Sequence, residues 1–549
     1  MAKIPHKWIH RQSIEHGVND SEFAGSVGKS QVSKAVNYDL SKSQVFESRG
    51  GSQKTSASAT AASEVVHMVV EYRTVSSGTI TRKFLVFAGT KLYNYDTSAK
   101  TYSTLKTGLA GVKPSVAVFR DDAGLDVIYY CDGTNFDFYD GTGITSVLSS
   151  FQGGAAGAKI PRYIHAQHER LWAGGGTCDQ NRIFYSPGNP AHAEQTWGTL
   201  DYLTFRGVER FTGIHDFSDY IAVGTEDSIY IITGRGGHSE DPYVPVHATQ
   251  KIGITSHWSM VSHGGYLYFA NADGIHIGRL RAALKDQMET ELISFNMANT
   301  FDDIKDGEWD NIEAVFFAPK EQIYFTVQTT LASNPDKMLV LSTALSNPSI
   351  AKPDRGIDHR FVWAGYHEGL DFNSIGVIRG SDGKKKLYVG GSDGFVREYY
   401  TDHLDDRASD GTGGSSVSYE LRPREEDFGG PGNRARVYAV YPSMHMRKNS
   451  TAQFEYIVNQ AQRRPSSAKT ITLRGNVPYL HLVDTTVTST IGSTILTEKP
   501  RATAKLRVGV QCKSILPIFT NVGGSVDGEE YSFSGVSYEI QTLQRSSYT

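Results

Sequence analysis

Cysteine and long apolar runs are scarce in this chain. Its 549 residues include three cysteines, at 131, 178 and 512, an odd and scattered set that supports neither a disulfide framework nor a CxxC metal site. Reduced, mostly buried thiols are expected. No window approaches the roughly 18 consecutive apolar residues of a membrane span. The basic start MAKIPHKWIHRQS leads into no apolar stretch of signal-peptide length. The expectation is therefore synthesis in a cytoplasm-like compartment, with no membrane insertion. What the chain does have is 39% apolar residues, enough for at least one large core, which excludes a disordered polymer. Glycine (55), tyrosine (29) and phenylalanine (25) are abundant, a composition that favours strands joined by tight turns.

The formal net charge of −4 is a cancellation: +3 over residues 1–60, −12 over 61–416 and +5 over 417–549. An acidic middle between basic flanks governs non-specific attraction to polyanions rather than fold.

A unit recurs in which an aromatic and aliphatic strand meets a Gly or Asp turn and then a second strand. It reads FLVFAGTKLYNYD from Phe84, DVIYYCDGTNFDFYD from Asp126, RLWAGGGTCDQNRIFYS from Arg170 and DYIAVGTEDSIYIITG from Asp219. GYLYFANADGIHIGRL from Gly265, QIYFTVQTT with KMLVLSTA from Gln322, and KLYVGGSDGFVREYY from Lys386 complete the series. Alternation around such turns predicts hairpins with one face buried. The intervals between successive units leave room for two further strands each, which is the size of a four-stranded propeller blade. SVAVFR at Ser115 and EAVFFAP at Glu313 are two of those further strands. The fold class expected is all-β, a β-propeller of six or seven blades followed by a β-sandwich-like C-terminal domain. RAALKDQMETEL at Arg281, with Leu284, Met288 and Leu292 at helical spacing, is either a short inserted helix or a polar connection. The expected organisation is an extended N-terminal arm over 1–60 that wraps a neighbour or seals a ring, a propeller over 61–400, an acidic Gly/Ser linker over 401–416 and a C-terminal β-domain over 417–549. A strand from the arm or linker is a candidate to complete the first or last blade.

Motifs for chemistry are weak. GSVGKS at 25–30 resembles the end of a phosphate loop, but Phe23 stands where the first glycine is needed. His165 and His168 have HxxH spacing without the helical setting or intervening Glu of a zinc protease, and Cys178 follows ten residues later. The acidic turns lack the Asp-x-Asp-x-Asp-Gly spacing and closing Glu of a calcium loop. Candidate mouth acids, Asp216, Asp219, Glu226 and Asp227, are too many for spacing to select a pair, and no GxSxG occurs. No catalytic residue, cofactor or metal ligand is therefore assigned, and the chain is read as a non-enzyme. Paired basics in the C-terminal domain, Arg434 with Arg436, Arg447 with Lys448 and Arg463 with Arg464, are candidate contacts for DNA phosphates or an acidic partner, against the plainer reading of a solvated face.

Several segments together resemble the tail nozzle, or tail hub, proteins of short-tailed bacteriophages, including packaged-DNA stabilisation proteins. They are ERLWAGGGTCDQNRIFYSPGNPAHAEQTW, DSIYIITG, KIGITSHWSMVSHGGYLYFANADGIHI and YELRPREEDFGGPGNRARVYAVYPSMHM, and the resemblance spans roughly residues 65 to 460. It implies a structural role in the virion tail, assembled in the host cytoplasm: a homohexameric ring below the portal and its adaptor. That ring extends the DNA channel, contacts other tail proteins, retains packaged DNA and conducts the duplex at ejection without sequence-specific binding. An acidic body facing the channel would let DNA slide. The alternative reading is a carbohydrate-binding or carbohydrate-cleaving propeller, a tail depolymerase or a lectin.

Overall fold

The computed structural model describes residues 7–10, 14, 16–21, 27–28, 30–42, 44–60, 64–76, 78–120, 124–147, 151, 159–188, 197, 201–205, 209–234, 236, 242–281, 287–350, 360–380, 382–401, 405–407, 414–428, 434–446, 451–459, 469–472, 501–503, 506–521 and 531–543. Seven four-stranded antiparallel blades follow one another along the chain. Blade I spans 66–107, blade II 115–146, blade III 163–204, blade IV 211–250, blade V 261–292, blade VI 313–367 and blade VII 374–401. Each of the seven sequence repeats is the central hairpin of one blade, so the count resolves to seven. The first strand of each blade is innermost, and consecutive first strands meet around the axis from blade II to blade VII and on to blade I, whose first strand then packs against the second strand of blade II, Asp126–Cys131.

The central strands are buried on both faces, not one. Asp126–Cys131 is buried from Val127 onward, and Gln322–Val327 throughout. The reason is the stacking: each sheet lies between two neighbouring blades, so the polar face of an ordinary hairpin becomes a second apolar interface. Cores between blades are aromatic. Phe136, Phe151 and Trp197 pack edge to face between blades II and III, with ring centroids 4.9 to 6.0 Å apart.

Blade VII holds only three of its strands in 374–401; its fourth is Gly51–Lys54, drawn from the N-terminal segment and antiparallel to Val396–Thr401. In place of one extended arm, the N-terminal segment forms five short strands. Val32–Val36 lies between the last strand of blade VI, Val362–His367, and Glu420–Pro423. It thereby fuses blade VI and one C-terminal sheet into a single sheet of ten strands, which continues through Ser514–Asn521, Thr451–Val458 and Lys469–Thr472. The facing sheet is built on Arg434–Met446 and Tyr531–Leu543, with Lys7–His10, Tyr38–Leu40 and Phe46–Ser48 added from the N-terminal segment. Phe519 of one sheet and Phe533 of the other pack at 5.2 Å, and Ala435, Val437, Phe454 and Ile540 complete a sandwich core. Residues 401–416 are not a bare linker either: Asp405–Arg407 and Gly414–Ser416 pair as a hairpin laid along Gly51–Lys54.

The helix considered at 281–292 does not form over its second half. Met288–Leu292 is the outer strand of blade V, and Arg279 meets Glu289 across it at 3.0 Å; 282–286 lie outside the described residues. A spacing of four fits a strand's period of two as well as a helix's 3.6, so Met288 and Leu292 share one face in either state. One short helix, Ala298–Asp302, joins blades V and VI. Among the described residues no helix is long and apolar enough to cross a membrane.

Candidate functional site

The propeller axis is closed at the end where the inner strands begin. The connection between blades IV and V, residues 254–260, crosses it. Ser256 Oγ donates to the Ile312 carbonyl at the start of blade VI (2.6 Å), and the Trp258 indole N–H donates to the Pro114 carbonyl before blade II (2.9 Å). Two cations flank the indole ring, the Arg162 guanidinium 4.9 Å and the Lys113 ammonium 5.8 Å from its centroid. Lys113 pairs with Glu313 of blade VI at 2.9 Å, both buried, and the same Glu313 oxygen accepts the Ile375 N–H of blade VII (3.1 Å). Burial pushes the Glu313 carboxyl up, against the pull of Lys113. On blade I, His67 is held down at about 4 by burial and then by Lys113 and Arg162. All seven blades thus meet in one polar knot around an indole.

His257, inside this knot, touches Ser115 at 2.8 Å, a spacing that invites a nucleophile and base. The hydrogen bonds exclude that. The Ile214 N–H donates to His257 Nδ1 (3.3 Å), so Nε2 carries the proton and donates it to Ser115 Oγ. Ser115 Oγ in turn donates to the Ile164 carbonyl (3.1 Å) and accepts the Ile164 N–H (2.9 Å). Burial, then His215, His165 and Arg162, keep His257 well below its ordinary range, hence neutral. The pair is a strut between inner strands.

The remaining sequence candidates separate. His165 of blade III stacks on His215 of blade IV at 5.2 Å, and Asp216 lies 2.9 Å from His215 and 3.7 Å from His165. Burial and then His215 lower His165 to about 3. His168 instead turns outward and hydrogen bonds to the Asp219 carbonyl at 2.8 Å. Asp219 and Glu226 bracket the six-residue strand Tyr220–Thr225, which puts them roughly 20 Å apart. Glu226 is paired with Arg210 at 2.9 Å, so these acids do not converge. The aspartates of the acidic turns bind their own backbone: Asp132 accepts the N–H groups of Thr134 (2.8 Å) and Asn135 (2.6 Å), and Asp140 those of Thr142 (2.6 Å) and Gly143 (2.7 Å). Among the described residues no group of three His, Cys, Asp or Glu could hold a metal. The three cysteines are free and buried, and burial raises Cys178 to about 12 and Cys512 to about 11. Of 25–30, Gly25, Ser26 and Lys29 lie outside the described residues, and the Gly28 N–H donates to the Gln31 side chain (3.3 Å). Arg434 and Arg436 sit on Arg434–Met446; Arg436 is exposed, 5.6 Å from the Tyr438 ring. Arg447, Lys448, Arg463 and Arg464 lie outside the described residues.

A second polar centre, missed in the sequence, locks the N-terminal strands in place. Arg49 is fully buried, forks onto Asp406 (3.0 and 3.3 Å), and donates from Nε to Asn37 Oδ1 (3.0 Å). Asp39 is bound by Lys320 and accepts from the Tyr400 hydroxyl (2.9 Å). Burial raises its carboxyl, but Lys320 and His367 prevail and hold it below the usual carboxylate range. Asn37 and Tyr400 both adopt positive φ, 60° and 59°, a conformation costly for a half-buried tyrosine. These strained residues sit where the N-terminal strands meet blades VI and VII.

No family profile and no curated protein matches the chain. Among solved structures, it is similar to a chain of the mitotic checkpoint complex at 12% identity, over 73% of this chain and 92% of that one, with a TM-score of 0.32. It is also similar to Hsv2 of Kluyveromyces lactis at 13% identity, over 50% of this chain and 71% of that one, with a TM-score of 0.27.

Proposed function

We propose that this chain is a structural component of a phage tail, a ring-forming nozzle below the portal and adaptor that extends the DNA channel, retains packaged DNA and conducts it at ejection, with no chemical step of its own. The closed axis is the observation that carries this reading. A propeller used for catalysis or sugar binding commonly offers an open, polar mouth; here Trp258, Arg162 and the Lys113–Glu313 pair close one end of the axis. The propeller is then a rigid block, and a duplex passes between copies rather than through one. Fusion of blade VI to the sandwich through Val32–Val36 supports the same use, because it couples the two parts without a free hinge. The segments that resemble nozzle proteins lie on blades III to V and at the start of the sandwich.

Sedimentation of the purified chain and imaging of labelled virions test the proposal. A closed oligomer that is present in particles is expected. A chain that stays monomeric at micromolar concentration and never appears in virions would overturn it, and glycan binding or sugar release would point to the carbohydrate-acting alternative.

A further inference from the structure

The acidic propeller carries a basic sector among its described residues. At the end of the axis away from the plug, the inner hairpins of three consecutive blades each present cations: Arg379, Lys384 and Lys385 on blade VII, Arg73 on blade I and Arg120 on blade II, all exposed. None of these five side chains has an ion-pair partner among the described residues. The blades are in contact there. The Arg379 N–H donates to Glu71 of blade I (3.0 Å), and Lys83 of blade I donates to the Tyr139 hydroxyl of blade II (2.9 Å). Glu71 is already engaged by Arg82 at 3.4 Å, so it does not neutralise the free arginines.

Blade I adds shape. Its inner hairpin pairs out to Ser76 opposite Thr79, while its third strand pairs only from Phe84 opposite Tyr95. Residues 73–76 and 79–82 therefore project as a two-stranded ribbon with no third strand beside them among the described residues. Arg73 faces Arg82 at its base, and Val75 faces Ile80 near its tip, 46% and 49% exposed.

We propose that this rim of blades VII, I and II binds the phosphate backbone of duplex DNA. A two-stranded ribbon is an element that a DNA groove admits, and unpaired Arg and Lys on either side supply phosphate contacts without base readout. The choice of DNA over an acidic protein surface rests on the tail role proposed above. The acidic remainder of the propeller repels the duplex elsewhere, so contact is confined to this sector.

The test is binding of a fluorescent random-sequence duplex to the full chain across a salt series. Five phosphate contacts give a slope of log K against log salt of up to about −4.5. Combining Arg73→Glu, Arg379→Glu, Lys384→Glu and Lys385→Glu removes at least about tenfold in affinity near 0.1 M salt and flattens the slope by more than half. Arg73→Gln with Arg379→Gln gives an intermediate loss, which serves if the reversed variant does not fold, and Lys251→Glu on blade IV leaves binding unchanged. A native chain that does not bind the duplex, or variants that bind it as the native chain does, would overturn the proposal. So would reversal that abolishes self-association but spares DNA binding, which would assign the rim to an acidic partner. Sedimentation of the same samples separates the two readings: a monomer that still loses DNA binding on reversal refutes the ring and not the surface.

Discussion

Replacing Arg49 by methionine tests whether the N-terminal strands are locked by one buried ion pair. The guanidinium has no solvent exposure, and Asp406 is 13% exposed, so neither charge is screened by water. Two parallel contacts of 3.0 and 3.3 Å join them, and Ser52 Oγ supplies Asp406 with one further donor at 2.7 Å. Methionine fills much of the volume but leaves a carboxylate nearly buried with a single hydroxyl. Breaking such a pair from one side costs about 3–5 kcal/mol, whereas replacing both partners by apolar groups is often close to neutral. The expected pattern is therefore non-additive: Arg49→Met strongly destabilising, and Arg49→Met with Asp406→Leu recovering most of the loss. Denaturant unfolding followed by tryptophan fluorescence gives the energies, and limited proteolysis of the N-terminal segment locates the opening. An Arg49→Met chain within about 1 kcal/mol of native, or a double variant no better than the single, would refute the lock.

Acid should loosen the axis. His67 and His165 are held near 4 and 3, below the ordinary imidazole value of 6.5, so the unfolded chain binds protons that the folded chain refuses. Stability is then fully present above about pH 6.5 and falls as pH drops toward 4, by about 2 kcal/mol per histidine at pH 5. Equal denaturation midpoints at pH 7 and pH 5 would contradict this. Trp258→Ala removes the indole between Arg162 and Lys113 and should cost about 3 kcal/mol, read as a lowered denaturation midpoint; an unchanged midpoint would mean that the plug is not part of the folded core. Gly51→Val should loosen the fourth strand of blade VII, because even a methyl there would lie 2.1 Å from the Asp405 carbonyl oxygen. Overpacking of this kind costs about 1–3 kcal/mol, and hydrogen exchange at Ser52–Lys54 should rise while blade III stays protected.

The propeller was readable because its central hairpins carry long apolar strands around Asx and Gly turns, and blade II shows why: Val127 to Cys131 are buried on both sides and so contain hardly a polar letter. The N-terminal strands were not readable. Tyr38–Leu40 and Phe46–Ser48 are too short for a period to show, and Phe46–Ser48 finds its second partner at Ser532 and Phe533, close to the opposite end of the chain. The plug left no trace either, since Lys113, Arg162, Trp258 and Glu313 come from four separate stretches with no shared motif. Asp216 was legible as a candidate acid, but the stacking of its neighbour His215 against His165 depends on the ring closing.

The pairing of the first strand with the last has a consequence for synthesis. Lys7–His10 needs Ser537–Ile540, so it cannot take its place until those residues, more than 500 positions later, have left the ribosome. At about 5–20 residues per second that is a wait of roughly half a minute to two minutes. Until then Arg434–Met446 lacks its partner Tyr531–Leu543, and a nascent chain is open to exchange with another copy on the same message. Closure of this sheet therefore comes after all seven blades have been made.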